Sequence, residues 1–500
     1  MDLALRAGSL GRLAERVAVP AYDRRAVAPG ILHVGVGGFH RAHQAMYIDA
    51  LLNAGLAGDW AICGVGVLPA DRAMRDALAR QDHLYTLVEK HPSGRYDARV
   101  IGSIVEFLLG PEDPEALIRR LADPSTRVVS LTITEGGYAI DDATGRFDVD
   151  APGIKADLEP GAAPRTVFGF VTAALQRRRA AGLAPFTIMS CDNLAGNGEL
   201  AREAFSAFGE LREPGLGAWI QEAVRFPSSM VDRITPVTTD ADRAEIAARF
   251  HVADAWPVVC EPFTQWVLED AFTMSRPPLE EVGVQIVADV APYELMKLRL
   301  LNAGHQGLGY FGRLCGYEHV HEAAQDPLLR RFLKAYMDEE ATASLDPVPG
   351  VDLAAYKEQL VERFSNSEVR DTIARLCAES SDRIPKWVLP VARHQLATGG
   401  PVALTAAIVA SWARYAEGVD EQGRPIEVAD RRRDVVMARA RRQASDPVAF
   451  LESPELFGDL ASNERFVASY LATLRSLHER GARRTLEALV DRAGPSGLPS

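Results

Sequence analysis

Three side chains able to move a proton and hold an oxygen fall within nine residues, Lys297-Leu-Arg-Leu-Leu-Asn302-Ala-Gly-His305. The stretch follows the turn-like Val290-Ala-Pro292-Tyr293 and reads as the opening of a helix. At about 100° per residue, Asn302 lies about 140° round from Lys297 and His305 about 80°. All three polar groups then share one broad arc with Leu298 and Leu301, while Arg299 and Leu300 point away. That company shields them in part from water. A lysine, an amide and an imidazole so placed can transfer a proton and stabilise a carbonyl oxygen. The same pattern also suits a buried helix with three satisfied polar groups.

The elements that must position this stretch divide the chain in two. Ile31-Leu-His-Val34 runs into Gly35-Val-Gly37-Gly38-Phe39-His40-Arg41-Ala-His43, and a helical pattern continues to Ala54. Further apolar runs are Ala61 to Val67, Arg127 to Thr134 and Phe186 to Ser190. Helical patterns such as Pro114 to Leu121 and Val167 to Arg179 separate them. Short apolar strands alternating with helices predict an α/β fold with a doubly wound parallel sheet. Residues before 30 read as an irregular lead-in. From about Pro292 the texture becomes α-helical, in Asp326 to Glu340, Leu353 to Phe364, Glu368 to Glu379, Pro401 to Glu417 and Asn463 to Leu489. Gly481 alone breaks the last of these. The loop Asp346-Pro-Val-Pro-Gly350 and the tail Gly494 to Ser500 read as breakers. The expected domains are 1–290, carrying the sheet, and 291–500, mostly helical.

Composition excludes several classes. The formal charge of -13 argues against sequence-nonspecific nucleic-acid binding. Arg177-Arg178-Arg179 and Arg431-Arg432-Arg433 read as solvated helix faces. No run approaches the roughly 18 apolar residues of a membrane span, and no signal peptide is apparent. The five cysteines are far apart and odd in number, which suits a reduced, cytoplasmic protein.

Gly35-x-Gly37 after the first strand fits a dinucleotide turn, in which backbone approaches a pyrophosphate at a helix N-terminus. The third glycine of that fingerprint falls at His40, so the pattern is incomplete. Asp71, beyond the second strand, is the candidate for a ribose hydroxyl; it would also serve as N-cap of a helix from Arg72 to Arg80. Tyr293-x-x-x-Lys297 has the spacing of short-chain dehydrogenases but lies too far from Gly35 and reads as coincidence. No histidine pair backed by a carboxylate suggests a zinc site, and His319 and His321 should point apart on a helix.

Together these residues resemble the mannitol dehydrogenase family of polyol-specific long-chain dehydrogenases, over nearly the whole chain. The resemblance is carried by Gly35 to His43, Thr132-Ile-Thr-Glu-Gly-Gly-Tyr138, Ser190-Cys-Asp-Asn193, Phe226-Pro-Ser-Ser-Met-Val-Asp-Arg-Ile-Thr-Pro236 and Lys297-x(4)-Asn302-x(2)-His305. It implies a Rossmann-like N-terminal domain, a helical C-terminal domain, NAD as coenzyme and no metal. It implies Lys297 as acid–base group, Asn193 and Asn302 as an oxyanion hole, His305 on substrate, and Glu294 beside the proton path. Asp232, Arg375, Arg383 and Lys386 are the remaining substrate candidates. The coenzyme candidates are Gly35, Val36, Gly37, Gly38, Phe39, His40, Arg41, Asp71, Glu135, Gly136 and Asn193. Relatives carry a Glu-Asp pair where this chain has Ala70-Asp71, which weakens the expected selectivity for NAD over NADP. The implied reaction interconverts D-mannitol and D-fructose; fructuronate reduction and oxidation of D-arabinitol or D-sorbitol are the alternatives. Ser190 to Leu194, Trp256 to Pro262 and Arg363-Phe-Ser-Asn366 favour the mannitol side. The expected partner is a small polyol or ketose, with the chain a monomer or weak oligomer.

Overall fold

Five short strands build the central sheet: β1 (Pro29–Val34), β2 (Ala61–Gly66), β3 (Ile104–Leu109), β4 (Val128–Leu131) and β5 (Thr187–Ser190). They lie in the order β3-β2-β1-β4-β5, and each neighbouring pair is parallel. Side chains alternate between two cores. Ile31, Val128 and Met189 pack with Ile48 and Leu51 on one face. Leu32, Val34, Val129, Leu131 and Ile188 pack with Leu117, Leu121, Val171 and Leu175 on the other. Burial on both faces is why these strands are continuous apolar runs. The strand order reverses between β1 and β4, which opens a crevice beyond their carboxyl ends.

The computed structural model describes residues 2–141 and 145–492. They fall into two units, the first ending at Ala291 and the second opening at Pro292. The tail Gly494 to Ser500 lies outside the described residues.

Several elements of the first unit differ from expectation. β3 was not anticipated; its Glu106, paired with Arg120 at 3.2 Å, interrupts the apolar run and is tolerated because the strand is an edge. Between β2 and β3 the chain inserts the antiparallel pair Tyr85–Lys90 and Tyr96–Ile101, extended by Val258–Cys260. Another sheet joins Ser229–Asp232, Gln265–Glu269 and Gln285–Val287. The lead-in is partly ordered into a sheet, since Leu3–Ala4 pairs with Val252–Ala253. Arg178 is not on a solvated face: it is buried and donates to the carbonyls of Ala184, Asp123 and Thr126 at 2.7–3.0 Å.

The second unit is helical, and no helix among the described residues is long and apolar enough to cross a membrane. Two expected helices are cut short. Pro327–Ala335 gives way to a π turn, Tyr336–Ala341. Residues 368–379 hold only Ile373–Cys377, because Arg370 and Glu379 take left-handed backbone, with φ of 53° and 52°. Leu353–Phe364 forms as expected. Glu464–Arg492 is kinked at Gly481, with φ of 81°.

Candidate active site

In the second unit, the stretch that carries Lys297 is not a plain α-helix. Ala291–Met296 is α-helical, Lys297–Asn302 is a π turn, and α-helix resumes at Ala303–Leu314. The Ala303 N–H reaches back to the Leu298 carbonyl, an i to i−5 closure. A π turn advances less per residue than an α-helix, so Asn302 swings back toward the side of Lys297. The 140° expected from regular helix geometry is therefore too large. The turn is pinned on its far side. The Tyr336 hydroxyl donates to the Arg299 carbonyl at 3.1 Å, and the Arg299 guanidinium donates to the Ser344 carbonyl. Tyr293 donates to the Pro349 carbonyl at 2.8 Å, so its hydroxyl has a structural task.

Glu294, Lys297, Asn302 and His305 are all buried, at 5–8% exposure. Among the described residues, Asn302 Nδ2 and His305 Nε2 have no hydrogen-bond partner. A buried polar atom left unmatched costs about 1–3 kcal/mol, so two on adjacent turns point to a ligand oxygen as the missing partner. The His305 ring packs on Phe364 with centroids 4.1 Å apart. Burial first, then the charges of Arg375, Arg363, Arg383 and Lys297, hold His305 well below the usual histidine range. Its imidazole is neutral at pH 7.

The helix Ala303–Leu314 is glycine-rich because its neighbours press close. A Cβ at Gly312 would stand 2.9 Å from Ile373, and one at Gly304 2.9 Å from Leu333. Each glycine costs a helix about 1 kcal/mol relative to alanine, a cost set here against close packing. The approach brings in Ile373–Cys377: Gln306, next to His305, donates to the Leu376 carbonyl at 3.2 Å. Arg375 on that helix grips Asp371, with Nε to Oδ1 at 2.6 Å and Nη2 to Oδ2. Arg383 Nη1 donates to the carbonyls of Arg375 and Leu376 at 2.9 and 3.0 Å. Lys386 is exposed. The sequence reading passed over Asp371 and had Arg363 and Phe364 only within a motif. The spacing of Asp371 and Arg375, four residues apart, was the available signal.

In the first unit, Gly35 has φ of 92°, and a Cβ there would strike the Thr132 carbonyl at 2.1 Å. The Gly37 N–H closes the turn on the Gly35 carbonyl at 2.7 Å. At Gly37 a Cβ would meet nothing nearer than 3.9 Å, so the outer side of the turn is open. His33 Nε2 lies 3.2 Å from the Gly35 carbonyl and 2.9 Å from Thr132 Oγ1, and fixes the turn from below. Burial pushes His33 down to about 3. His40, in place of the third glycine, stacks flat on His33 with centroids 3.3 Å apart. The His40 ring and the Arg41 guanidinium face the interior of the unit; Arg41 is buried and donates to the Trp256 carbonyl. Of this stretch, the backbone from Gly35 to Gly38, with Val36 and Phe39 packed beneath it, is what the turn can offer to a ligand.

Asp71 stands at the N-cap of the helix Arg72–Ala79, but its side chain makes no cap bond there. Its Oδ2 accepts from the Leu68 N–H at 2.9 Å, which folds it over the carboxyl end of β2 at Gly66. Glu135 and Gly136 are exposed on the one-turn helix Thr134–Gly137. Asp192 holds that turn by accepting from Ile133 and Thr134 N–H at 3.1 and 2.8 Å. Asn193 follows it and is exposed, and Asp232 is buried at the end of its strand. Among the described residues, Glu89, His91 and Asp97 come within 4.8 Å of one another, but Arg99, Arg233 and Arg95 already supply the countercharge. His319 and His321 do not diverge; their rings are 5.4 Å apart, because His319 caps the helix instead of lying within it.

The family model of the mannitol dehydrogenase Rossmann domain matches residues 29–281, and that of the mannitol dehydrogenase C-terminal domain matches 289–478. A mannitol 2-dehydrogenase of Neosartorya fischeri is 46% identical over 482 residues, covering 95% of this chain and 96% of the relative. One of Pyricularia oryzae is 44% identical over 483 residues, with 95% and 96% covered. Among solved structures, the Pseudomonas fluorescens mannitol 2-dehydrogenase ternary complex with NAD and D-mannitol superposes with a TM-score of 0.91 at 47% identity, over 98% of this chain and 100% of that one. A D-sorbitol dehydrogenase in substrate-free form gives 0.87 at 38% identity, over 97% and 100%. With both domain models matched in order and relatives aligned end to end, the chain belongs to the mannitol dehydrogenase family.

Proposed function

We propose that this chain is an NAD-dependent mannitol 2-dehydrogenase that interconverts D-mannitol and D-fructose, with Lys297 as its acid–base group. The observation that carries the reading is the buried trio on adjacent turns of the second unit. Lys297 sits there with Asn302 Nδ2 and His305 Nε2, both unmatched by protein. The name and bound ligands of the Pseudomonas fluorescens relative supply the substrate and the coenzyme.

The residues of the first unit suit a dinucleotide. The turn Gly35–Gly38 is open on its outer side, and Asp71 lies at the end of β2, where it can accept from a ribose hydroxyl. A bound NAD would supply the hydride acceptor for the alcohol carbon. Lys297 accepts the hydroxyl proton in oxidation and returns it in ketone reduction. An ordinary lysine has a pKa of about 10.4, so a lysine base needs burial or neighbouring cations; Lys297 is buried. Asn302 Nδ2 donates to the same oxygen as charge develops on it, and cannot compete for its proton. Neutral His305 orients a neighbouring hydroxyl through Nε2. Glu294, three residues before Lys297, serves proton passage. The lysine supplies the base, so this chemistry requires no metal.

The test is NADH oxidation by enzyme dialysed against a chelator, with fructose and fructuronate compared at one pH. Fructose should be the better substrate by kcat/KM, and mannitol oxidation should yield fructose. A tenfold preference for fructuronate, about 1.4 kcal/mol in transition-state binding, rejects the reading. Activity lost to the chelator and restored by zinc rejects its metal-free chemistry.

A further inference from the structure

We propose that Asp371 sets substrate specificity: by neutralising Arg375 it suits the site to an uncharged polyol or ketose and disfavours a sugar acid. The inference rests on the reading that substrate binds beside His305. Arg375 is the first charge to act on His305 after burial itself, and its helix is tied to the His305 helix through Gln306 and the Leu376 carbonyl. A free arginine there would grip a carboxylate with both arms of its fork. In this chain one edge of the guanidinium is already taken. Nε and Nη2 each donate to one Asp371 oxygen, which occupies the side-on edge and sets a carboxylate directly against the positive charge.

The clamp is built, not incidental. The Asp371 side chain is 6% exposed while that of Arg375 is 48% exposed, so the carboxylate is fixed from beneath and the arginine is the outward member. The Thr372 N–H donates to Asp371 Oδ1 at 2.9 Å, and the Val320 N–H donates to the Asp371 carbonyl at 2.9 Å. Arg383 is engaged as well, through Nη1 on two carbonyls. A hydroxyl needs one donor and no net charge, which the clamped pair provides. A carboxylate needs the charge as well, and the Asp371 carboxylate beside it cancels that charge and repels a second one.

The experiment measures kcat/KM for fructose and fructuronate with NADH in the wild type, Asp371→Asn and Asp371→Ser. Wild-type turnover of fructose tests the functional reading by itself. In the variants the fructuronate-to-fructose ratio should rise about tenfold, mostly through a lower KM for the acid, and added salt should shrink the change. If both substrates weaken in parallel, Asp371 is only a staple and the inference fails. If neither variant folds, wild-type inhibition decides. D-gluconate should then compete with fructose no more tightly than D-sorbitol does, and tenfold tighter gluconate binding overturns the proposal.

Discussion

Replacing Lys297 by alanine should lower kcat by about 10²–10⁴-fold, the usual contribution of a general acid–base group. NADH affinity should hold, because the coenzyme turn lies in the first unit. Steady-state rates with a fluorescence titration of NADH check both halves, and near-normal turnover removes Lys297 from the mechanism. In the wild type, mannitol oxidation should climb as pH rises through the pKa of the lysine. His305 stays neutral throughout and adds no limb of its own, since burial and the surrounding cations hold it well below its usual range. The types of Lys297, Asn302 and His305 were legible in the sequence because chemistry demands those groups. Their angular relation was not, since nothing in Lys297-Leu-Arg-Leu-Leu-Asn302 announces a π turn. The burial of Arg41 was hidden for a related reason. An arginine in a coenzyme-like turn suggests a ligand, and only the fold reveals that the Trp256 carbonyl claims it.

The π turn is the element on which the site depends, and Tyr336 is its tether. The Tyr336 hydroxyl is spent on the Arg299 carbonyl in the middle of the turn. Tyr336→Phe removes one buried hydrogen bond, worth about 0.5–1.5 kcal/mol net. Tyr470→Phe is the control, because it loses a comparable hydroxyl contact to Gln443 in a different helix. Both variants should lose similar stability in urea unfolding, but only Tyr336→Phe should lower kcat several-fold. Equal kcat in the two would show that the turn holds its shape without the tether. The sheet was easier to read than this turn. Burial on both faces writes a strand as an unbroken apolar run, as in β1, β4 and β5. β3 escaped notice because an edge tolerates Glu106, and the helix expected over residues 368–379 failed because Arg370 and Glu379 turn left-handed, which an apolar period does not reveal.

Across the whole molecule, buried neutral histidines should make the protein acid-labile. His33 is pushed down to about 3 by burial, and His40 and His305 fall well below 6.5. In the unfolded chain each takes up a proton near pH 6.5. Their contribution to stability is therefore whole above about pH 6.5. It is lost as pH falls, by up to about 1.4 kcal/mol per pH unit for each histidine. Glu340 works in the other direction: burial raises it from 4.5 to about 7, so the folded state gains its proton first and is favoured on acidification. Asp49, Asp192 and Asp254, raised from 3.8 by burial, also oppose the loss. In the second unit His305 and Glu340 offset each other between about pH 6.5 and 5.5. In the first unit His33 and His40 lie directly beneath the coenzyme turn, so their protonation acts on that turn. Lowering the pH from 7.5 to 5.5 should therefore abolish NADH binding before it lowers the helical signal at 222 nm. His33→Gln, which cannot take up a proton, should reduce the dependence of the urea midpoint on pH by about one proton's worth. A midpoint that is flat or rises over this interval would show that the buried histidines do not govern the acid response.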